Sequence, residues 1–472
     1  MFGFNGSLSR RQLLRSTGAG FGMLALSALL ADEAPAVTSD SDDTSDLPIE
    51  QHMHHAARAK RCIFLFLPGG PSQVDTFDPK PHLTRDNGKP LPFNRPQLGV
   101  QRTGNLLASP WKFKKHGASG IDVVELLPHI AGSVDDLCVI RSMVADNVNH
   151  TGAALQMNTG EQTFSRPCLG SWLTYGLGSE NHNLPGFVVI SPQSVFQGSQ
   201  LWSSSFLPAE YQGTWVRDLN NPIANLHDPA GNMTRQRDKL DLLRRLNELH
   251  EQKRVVDSQL EARIASFELA YRMQRNAPET FSINDESDAT KKLYGLDDPT
   301  TETFGKQCLM ARRLVEAGVR FVQVYDSATT GPRWDHHNKL KEELPSRCAN
   351  VDRPIAGLLA DLKGRGLLDD TLVVCGGEFG RTPMAQNVDG RDHHPFGFTM
   401  FLAGGGVKGG HIHGATDEYG FHAVQDKVHV HDLHATILHL MGIDHERLTY
   451  RYSGRDYRLT DVYGRVVKEI IA

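Results

Sequence analysis

The stretch TLVVCGGEFGRTPMAQNVDGRDHH, residues 371–394, indicates the fold most directly, because a predicted strand in it is followed by a dense run of potential metal ligands. Its first five residues are apolar and mostly β-branched, which predicts a buried strand that two glycines end. Glu378 therefore follows a strand's carboxyl end, where open α/β sheets bind ligands, and His393 follows one loop later. Carboxylates and imidazoles suit zinc, manganese or iron. The alternative is that Glu378 pairs with Arg381 and that the histidines are solvated.

A second acid and imidazole cluster follows another predicted strand. Residues 319–326 form an apolar strand pattern, and Trp334-Asp335-His336-His337 lies beyond it. A predicted helix at 350–364 joins this strand to the one at 371–375, which makes the unit β-α-β and the sheet parallel. The two clusters would then face one crevice.

The mature fold is predicted to begin with a central strand at residues 62–67, CIFLFL. It breaks at PGGPS, residues 68–72, and Asp75 follows. Glycines at a strand end let backbone amides approach an anion, and a nearby carboxylate could hold a metal. A plain turn explains the glycines equally well.

Residues 121–131 are predicted to be helical and to lead into a strand at 137–142. Asn149, His150 and Thr151 then open a second predicted helix. A side chain at that position meets unpaired amides and the positive end of the helix dipole, so it could activate a nucleophile or hold an anionic substrate. The alternative is that Asn149 or Thr151 only caps the helix.

Residues 1–36 are predicted to be a twin-arginine signal peptide. Arg10 and Arg11 precede an uncharged run, residues 16–31, and small residues follow at a cleavage-like site. A membrane anchor is the alternative, but the run would reach only about 22 Å as a helix against an apolar core of about 30 Å. We therefore expect a periplasmic or extracellular protein, exported folded with its metal by the twin-arginine machinery.

Residues 37–59 form an acidic linker, and residues 60–472 are predicted to be one α/β domain. An amphipathic segment at about 230–290 predicts an inserted helical hairpin, with a dimer seam as the alternative.

Six widely spaced cysteines form no metal motif, and most are expected to be buried thiols. The net charge of -5 gives no basic footprint and argues against nucleic acid as a partner. The mature chain is expected to have no stable membrane span.

Two motifs carry a resemblance to known proteins. Gly377-Glu378-Phe379-Gly380 stands where sulfatases have Ser-Asp-His-Gly, and residues 432–443 are similar to the helix that closes their fold. The mature chain resembles the bacterial domain-of-unknown-function 1501 family of the alkaline phosphatase superfamily. The resemblance implies a mostly parallel central sheet sandwiched by helices, an alkaline phosphatase/sulfatase-like α/β fold.

The resemblance also implies a divalent metal site. Zinc, as one or two ions, is the predicted cofactor, with manganese or calcium as alternatives. The implied ligands are Asp335, His337, Glu378, His393 and, displaced along the chain, Asp75. Thr159-Gly160 looks like the end of the sulfatase signature, which puts His150 at the nucleophile's place, although the signature cysteine and arginine are missing. Arg381 would neutralise anionic charge.

We therefore expect an exported metal-dependent hydrolase of a phosphate or sulfate ester, either a small molecule or a polysaccharide. It would use Thr151 or a metal-bound water, or His150 as nucleophile or base. The alternative is a non-catalytic metal-binding or glycan-binding exported relative. Trp202 and Trp215, in an aromatic loop, motivate the glycan hypothesis.

Overall fold

Short apolar runs become the strands of a central sheet because their side chains are buried on both faces. The computed structural model describes residues 53–94, 103–222, 279–327 and 331–472, together with a few helical residues between 237 and 272. The strands are β1 (Arg61–Phe66), β2 (Phe113–His116), β3 (Ile121–Val124), β4 (Leu137–Val144), β5 (Phe187–Ile190), β6 (Thr214–Val216), β7 (Phe321–Tyr325), β8 (Thr371–Gly376), β9 (Gly380–Gln386), β10 (Gly390–His394), β11 (Phe398–Ala403), β12 (His411–His413), β13 (Ala415–Thr416), β14 (Ala423–Gln425), β15 (Val428–His429), β16 (Tyr450–Tyr452) and β17 (Arg455–Tyr457).

Within the described ranges, nine strands form the central sheet in the order β12-β4-β11-β8-β1-β7-β5-β6, and β15 also pairs with β4. All pairings are parallel except those of β11, which runs antiparallel to both β4 and β8. The remaining strands form two-stranded antiparallel ribbons: β2 with β3, β9 with β10, β13 with β14, and β16 with β17. The mostly parallel sheet predicted from the sequence is confirmed.

Helices cover both faces of this sheet. The α-helices are α1 (Pro81–Arg85), α2 (Pro128–Ala131), α3 (His150–Thr159), α4 (Leu169–Leu177), α5 (Asp288–Leu293), α6 (Glu302–Glu316), α7 (Leu340–Gly364) and α8 (Val430–Leu440). Along β1, Ile63 and Leu65 pack into one apolar core with α6 and α7. Phe64 and Phe66 pack into a second core with α3, α4 and α8. The alternation of side chains along a strand thus builds a three-layer sandwich.

Two local predictions differ from the structure. The helix expected at 121–131 is wrong for its first residues, because Ile121–Val124 pairs with β2 as a hairpin and buries Ile121, Val123 and Val124. Helix α2 begins only at Pro128, a residue that suits the first position of a helix. The loop expected around His393 is strand β10, paired with β9.

Several predictions lie outside the described residues: the signal peptide, most of the acidic linker (residues 37–52) and most of the helical insertion. Among the helices that are described, none combines the length and apolar character needed to cross a bilayer. The six cysteines are buried free thiols, as the sequence predicted for most of them.

Candidate functional site

The predicted site residues lie at the carboxyl edge of the central sheet. Strands β7 and β8 both pair in parallel with β1, so their carboxyl ends lie on either side of it. Asp335 and His337 come from the segment after β7, and Glu378 follows β8. His393 lies on β10, and His150 is the first residue of α3. The tertiary structure therefore brings together segments that are more than 200 residues apart.

Three ligand atoms converge within this group. His337 Nε2 lies 3.0 Å from His393 Nε2 and 3.0 Å from Asp335 Oδ1. His393 Nε2 lies 3.3 Å from the same oxygen. An ion about 2.1 Å from its ligands separates neighbouring ligands by about 3.0 Å in octahedral and about 3.4 Å in tetrahedral geometry. The three atoms thus have the spacing of one face of a metal coordination shell.

The other ring nitrogens show why these atoms are available. His393 Nδ1 donates to the Val148 carbonyl at 2.7 Å, and His337 Nδ1 bonds the side-chain oxygen of Gln386. A carbonyl oxygen only accepts, so each neutral ring keeps its proton on Nδ1 and its lone pair on Nε2. Two facing lone pairs need a proton or a cation between them. Metal-binding histidines are oriented by the same kind of bond in many proteins.

His150 adds a fourth ligand atom, and Glu378 lies behind it. His150 Nδ1 is 2.6 Å from Glu378 Oε1, while its Nε2 is 3.2 Å from Asp335 Oδ2. The metal-binding geometry groups His150 with Asp335, His337 and His393. Glu378, which the sequence predicted as a ligand, lies outside this group and contacts the other nitrogen of the His150 ring. A carboxylate that orients a metal-bound imidazole takes the same position in other proteins.

The charges of the site favour a cation between the rings. Burial by itself would raise the pKa of Asp335, but hydrogen bonds from the surrounding imidazoles lower it far below its usual range. Burial would lower the pKa of His150, yet its bonds to Asp335 and Glu378 raise it to about 9. The bond to Asp335 raises the pKa of His337, and burial lowers that of His393. Two carboxylates therefore draw positive charge toward the imidazoles.

Arg381 is fully buried beside these ligands. Its Nη2 donates to Asp335 Oδ1 at 2.6 Å and also to the Gly69 carbonyl. Its Nε donates to the Gly70 carbonyl and its Nη1 to the Arg391 carbonyl, each at 3.1 Å. The guanidinium thus positions Asp335. The predicted contact with an anionic substrate would require Arg381 to leave these partners.

Asp75 and Thr151 lie apart from the converging atoms. Asp75 is fully buried and pairs with Arg391, whose Nε and Nη2 lie 2.6 and 3.1 Å from the carboxylate. This ion pair satisfies the charge of Asp75 without a metal, and its role as a ligand stays a prediction. Thr151 is exposed, and its backbone N–H is capped by Asn149 Oδ1 at 3.0 Å.

Three groups that position the site were not predicted from the sequence: Gln386, the Val148 carbonyl and the Gly69 amide. The Gly69 N–H donates to both oxygens of Glu378, at 2.9 and 3.2 Å. Gly69 has φ +115°, and a Cβ there would lie 2.6 Å from backbone atoms of Trp334, so only glycine fits. The glycines after the first strand were the available sequence signal for the Gly69 amide, because glycines at a strand end let backbone amides approach an anion.

Comparisons with solved structures return chains of low sequence identity. The lipoteichoic acid synthase LtaP from Listeria monocytogenes is 10% identical, with 87% of this chain and 79% of that chain covered and a TM-score of 0.36. A protein in the alkaline phosphatase superfamily from Vibrio parahaemolyticus is also 10% identical, with 92% and 76% covered and a TM-score of 0.36. The PsFucS1 sulfatase from Pseudoalteromonas sp. is 12% identical, with 82% and 69% covered and a TM-score of 0.33.

A search among curated proteins finds no matching sequence. The family model DUF1501, described as a protein of unknown function, matches residues 59–471 and so spans nearly all of the described structure. The match includes every residue of the candidate site, from the Gly69 amide to His393. The chain therefore belongs to the DUF1501 family.

Proposed function

We propose that this protein is an exported metal-dependent hydrolase of a phosphate or sulfate ester. The observation that carries the proposal is the triangle of His337 Nε2, His393 Nε2 and Asp335 Oδ1, with edges of 3.0 to 3.3 Å. It stands at the carboxyl edge of a mostly parallel sheet, where α/β enzymes bind their ligands. The similarity of the Glu378 and 432–443 motifs to sulfatases supports the same reaction class.

The donor set fits a divalent cation of intermediate softness. Two imidazoles and a carboxylate, with the third imidazole of His150 beside them, suit zinc, and manganese is the alternative. When bound, such an ion lowers the pKa of a coordinated water and polarises the oxygens of an ester. The converging group gives a place for one ion, and a second ion remains a prediction.

Neighbouring residues hold the candidate ligands in fixed positions, which would favour that chemistry. Arg381 fixes the carboxylate of Asp335, so the ligand oxygen does not have to reorganise. Glu378 fixes the His150 ring, and the Gly69 amide fixes Glu378 in turn. Val148 and Gln386 hold the remaining two rings. A rigid, prearranged set of donors is what transition-state stabilisation requires.

Export remains part of the proposal. The twin-arginine pattern at Arg10 and Arg11 predicts a route that carries folded proteins. A site assembled from segments at 150, 335 and 393 forms only in a folded chain, so metal uptake before export fits this route. A fusion of residues 1–36 to a reporter, with Arg10→Lys and Arg11→Lys as the control, tests it by fractionation. A reporter that stays inside cells with the natural segment would refute export.

The test of function combines metal analysis with a broad panel of phosphate and sulfate esters. We expect purified protein to contain close to one divalent ion and to cleave an ester, and Asp335→Ala to lose both properties. A metal-replete protein that is inert toward the whole panel would refute the hydrolase.

A non-catalytic metal-binding protein is the second candidate, and one observation favours it. With His150, four protein ligands would fill the coordination shell of a tetrahedral zinc ion, as in structural zinc sites. Visible spectra of the cobalt-substituted protein separate the two candidates. A spectrum that changes when inorganic phosphate is added indicates a coordination position open to a ligand, whereas a spectrum that stays the same indicates a closed site.

A further inference from the structure

The hairpin of β9 and β10 contacts all three corners of the triangle of candidate ligand atoms. His393 lies on β10 itself. Arg381, on β9, donates to Asp335, and Gln386, the last residue of β9, bonds the Nδ1 atom of His337. One short element of the chain therefore supplies one candidate ligand and holds the other two.

The turn of this hairpin, from Asn387 to Gly390, holds the backbone that follows His337. Asn387 Nδ2 donates to the His337 carbonyl at 2.9 Å, and the Lys339 N–H donates to Asp389 Oδ1 at 2.9 Å. Gly390 packs so closely that a Cβ there would lie 2.0 Å from the carbonyl atoms of His337. We call these three contacts the turn clamp.

Both sides of the turn clamp contain left-handed backbone. Asn387 has φ +54° and Lys339 has φ +53°, and residues other than glycine adopt this region at a cost in free energy. Such conformations persist where surrounding contacts fix them. Glycine would form the turn at 387 without strain, but it would lack the amide that reaches the His337 carbonyl. The asparagine side chain therefore gives the turn a contact that glycine could not make.

We propose that Asn387, Asp389 and Gly390 are positioning residues for His337, and this rests on the metal site of the proposed function. They act through the backbone that carries the imidazole. A ligand that is held in place before the ion arrives has less to reorganise when the ion binds. Groups that orient ligands in this way typically change metal affinity by about 10- to 100-fold.

Calorimetric titration with zinc tests the proposal, together with urea unfolding in the presence of a chelator. Asn387→Gly keeps the left-handed turn and removes the side-chain amide, so zinc affinity should fall by about tenfold. Zinc stoichiometry at saturation and the urea midpoint should stay close to those of the wild type, because relief of backbone strain offsets the lost hydrogen bond. The matched control is Ser453→Gly, at the turn after β16, where φ is +45°. It should leave zinc affinity unchanged.

Asp389 and Gly390 provide two further variants. Asp389→Asn loses the charge but still accepts the Lys339 N–H, so it should keep zinc affinity, whereas Asp389→Ala should lower it by about tenfold. Gly390→Ala forces the His337 backbone away and should lower zinc affinity further. Its control is Gly364→Ala, because a Cβ there would meet no atom within 4 Å outside its own helix.

Unchanged zinc affinity in Asn387→Gly or in Asp389→Ala, or no zinc binding by the wild type, would overturn the turn clamp. A loss of affinity that Ser453→Gly shares, or one that occurs only together with a lower urea midpoint, would also overturn it, because either result indicates a general structural effect. Cleavage of a small chromogenic ester is measured separately. Zinc binding that the variants weaken, without cleavage of any ester, would refute the hydrolase and leave the turn clamp in place.

Discussion

Two groups of acid and histidine side chains in this protein differ in what they can bind. At the candidate metal centre, the Nδ1 atoms of His337 and His393 bond oxygens, so their Nε2 lone pairs face inward. In the second group, His429 Nδ1 accepts the backbone N–H of His431 at 3.2 Å and caps helix α8. Its proton must therefore stay on Nε2, which lies 3.1 Å from Asp146 Oδ2.

The second group is thus a hydrogen-bonded cap, even though its ligand-type atoms lie as close together as those of a metal site. A cation at His429 would require the ring to lose both protons or α8 to lose its cap. Residue type and proximity do not distinguish the two groups. What distinguishes them is the partner of each histidine's Nδ1 atom, because that partner decides whether Nε2 keeps a lone pair or a proton.

We expect the largest effect from a substitution in the candidate metal centre. Asp335→Asn keeps the shape of the side chain but removes the charge that faces three imidazoles. We expect metal affinity to fall by more than about 100-fold, beyond the loss for an orienting residue. Metal titration followed by calorimetry measures it, with Asp146→Asn as the matched control. Equal losses in the two variants would contradict the comparison.

Glu378→Gln should have the next largest effect. If Glu378 orients His150 from behind, metal affinity should drop by about 10- to 100-fold. Stoichiometry at saturating metal should stay the same, because no ligand is lost. Elemental analysis after dialysis at high and low metal concentration separates these quantities. Loss of the ion even at saturation would show that Glu378 is itself a ligand.

His434, on the same helix as the cap, gives a pH-dependent effect. Burial lowers its pKa to about 3, and its Nε2 donates to the Met157 carbonyl at 2.8 Å. Below its ordinary pKa of about 6.5, the unfolded chain takes up a proton that the native chain does not. Stability is therefore lost as the pH falls from about 6.5 toward 3, by at most about 1.4 kcal/mol per pH unit.

His434→Gln has no titratable group there and should flatten the pH dependence of the unfolding free energy by about one proton. Urea denaturation at several pH values between 4 and 7 measures the slope. An unchanged slope would mean that His434 is protonated in the native chain.

The smallest expected effect belongs to the cap itself. His429→Ala leaves the first amides of α8 unsatisfied and should lower the free energy of unfolding by about 1 kcal/mol. His429→Asn can still cap the helix and should retain most of the stability. Metal content should not change in either variant, and denaturant unfolding with metal analysis tests both statements. Loss of metal from His429→Ala would place an ion in the second group.

Local patterns of apolar residues predicted most of the strands of the central sheet. The apolar runs before Pro68, Asp335 and Glu378 became strands of one sheet, because a continuous run can be buried on both faces only in a covered sheet. The hairpin of β2 and β3 was missed, because four residues that begin with Ile121 fit a helix or a strand until a partner strand is known.

The sequence by itself determined the parallel sheet and the strand ends at which acids and histidines gather, since both follow from periodicity and chain order. Only the tertiary structure decided what each side chain does there. Contacts across more than 200 residues place Glu378 behind His150 and pair Asp75 with Arg391. A hydrogen bond between distant segments leaves no local pattern, and here such bonds decide which nitrogen or oxygen remains free to bind a cation.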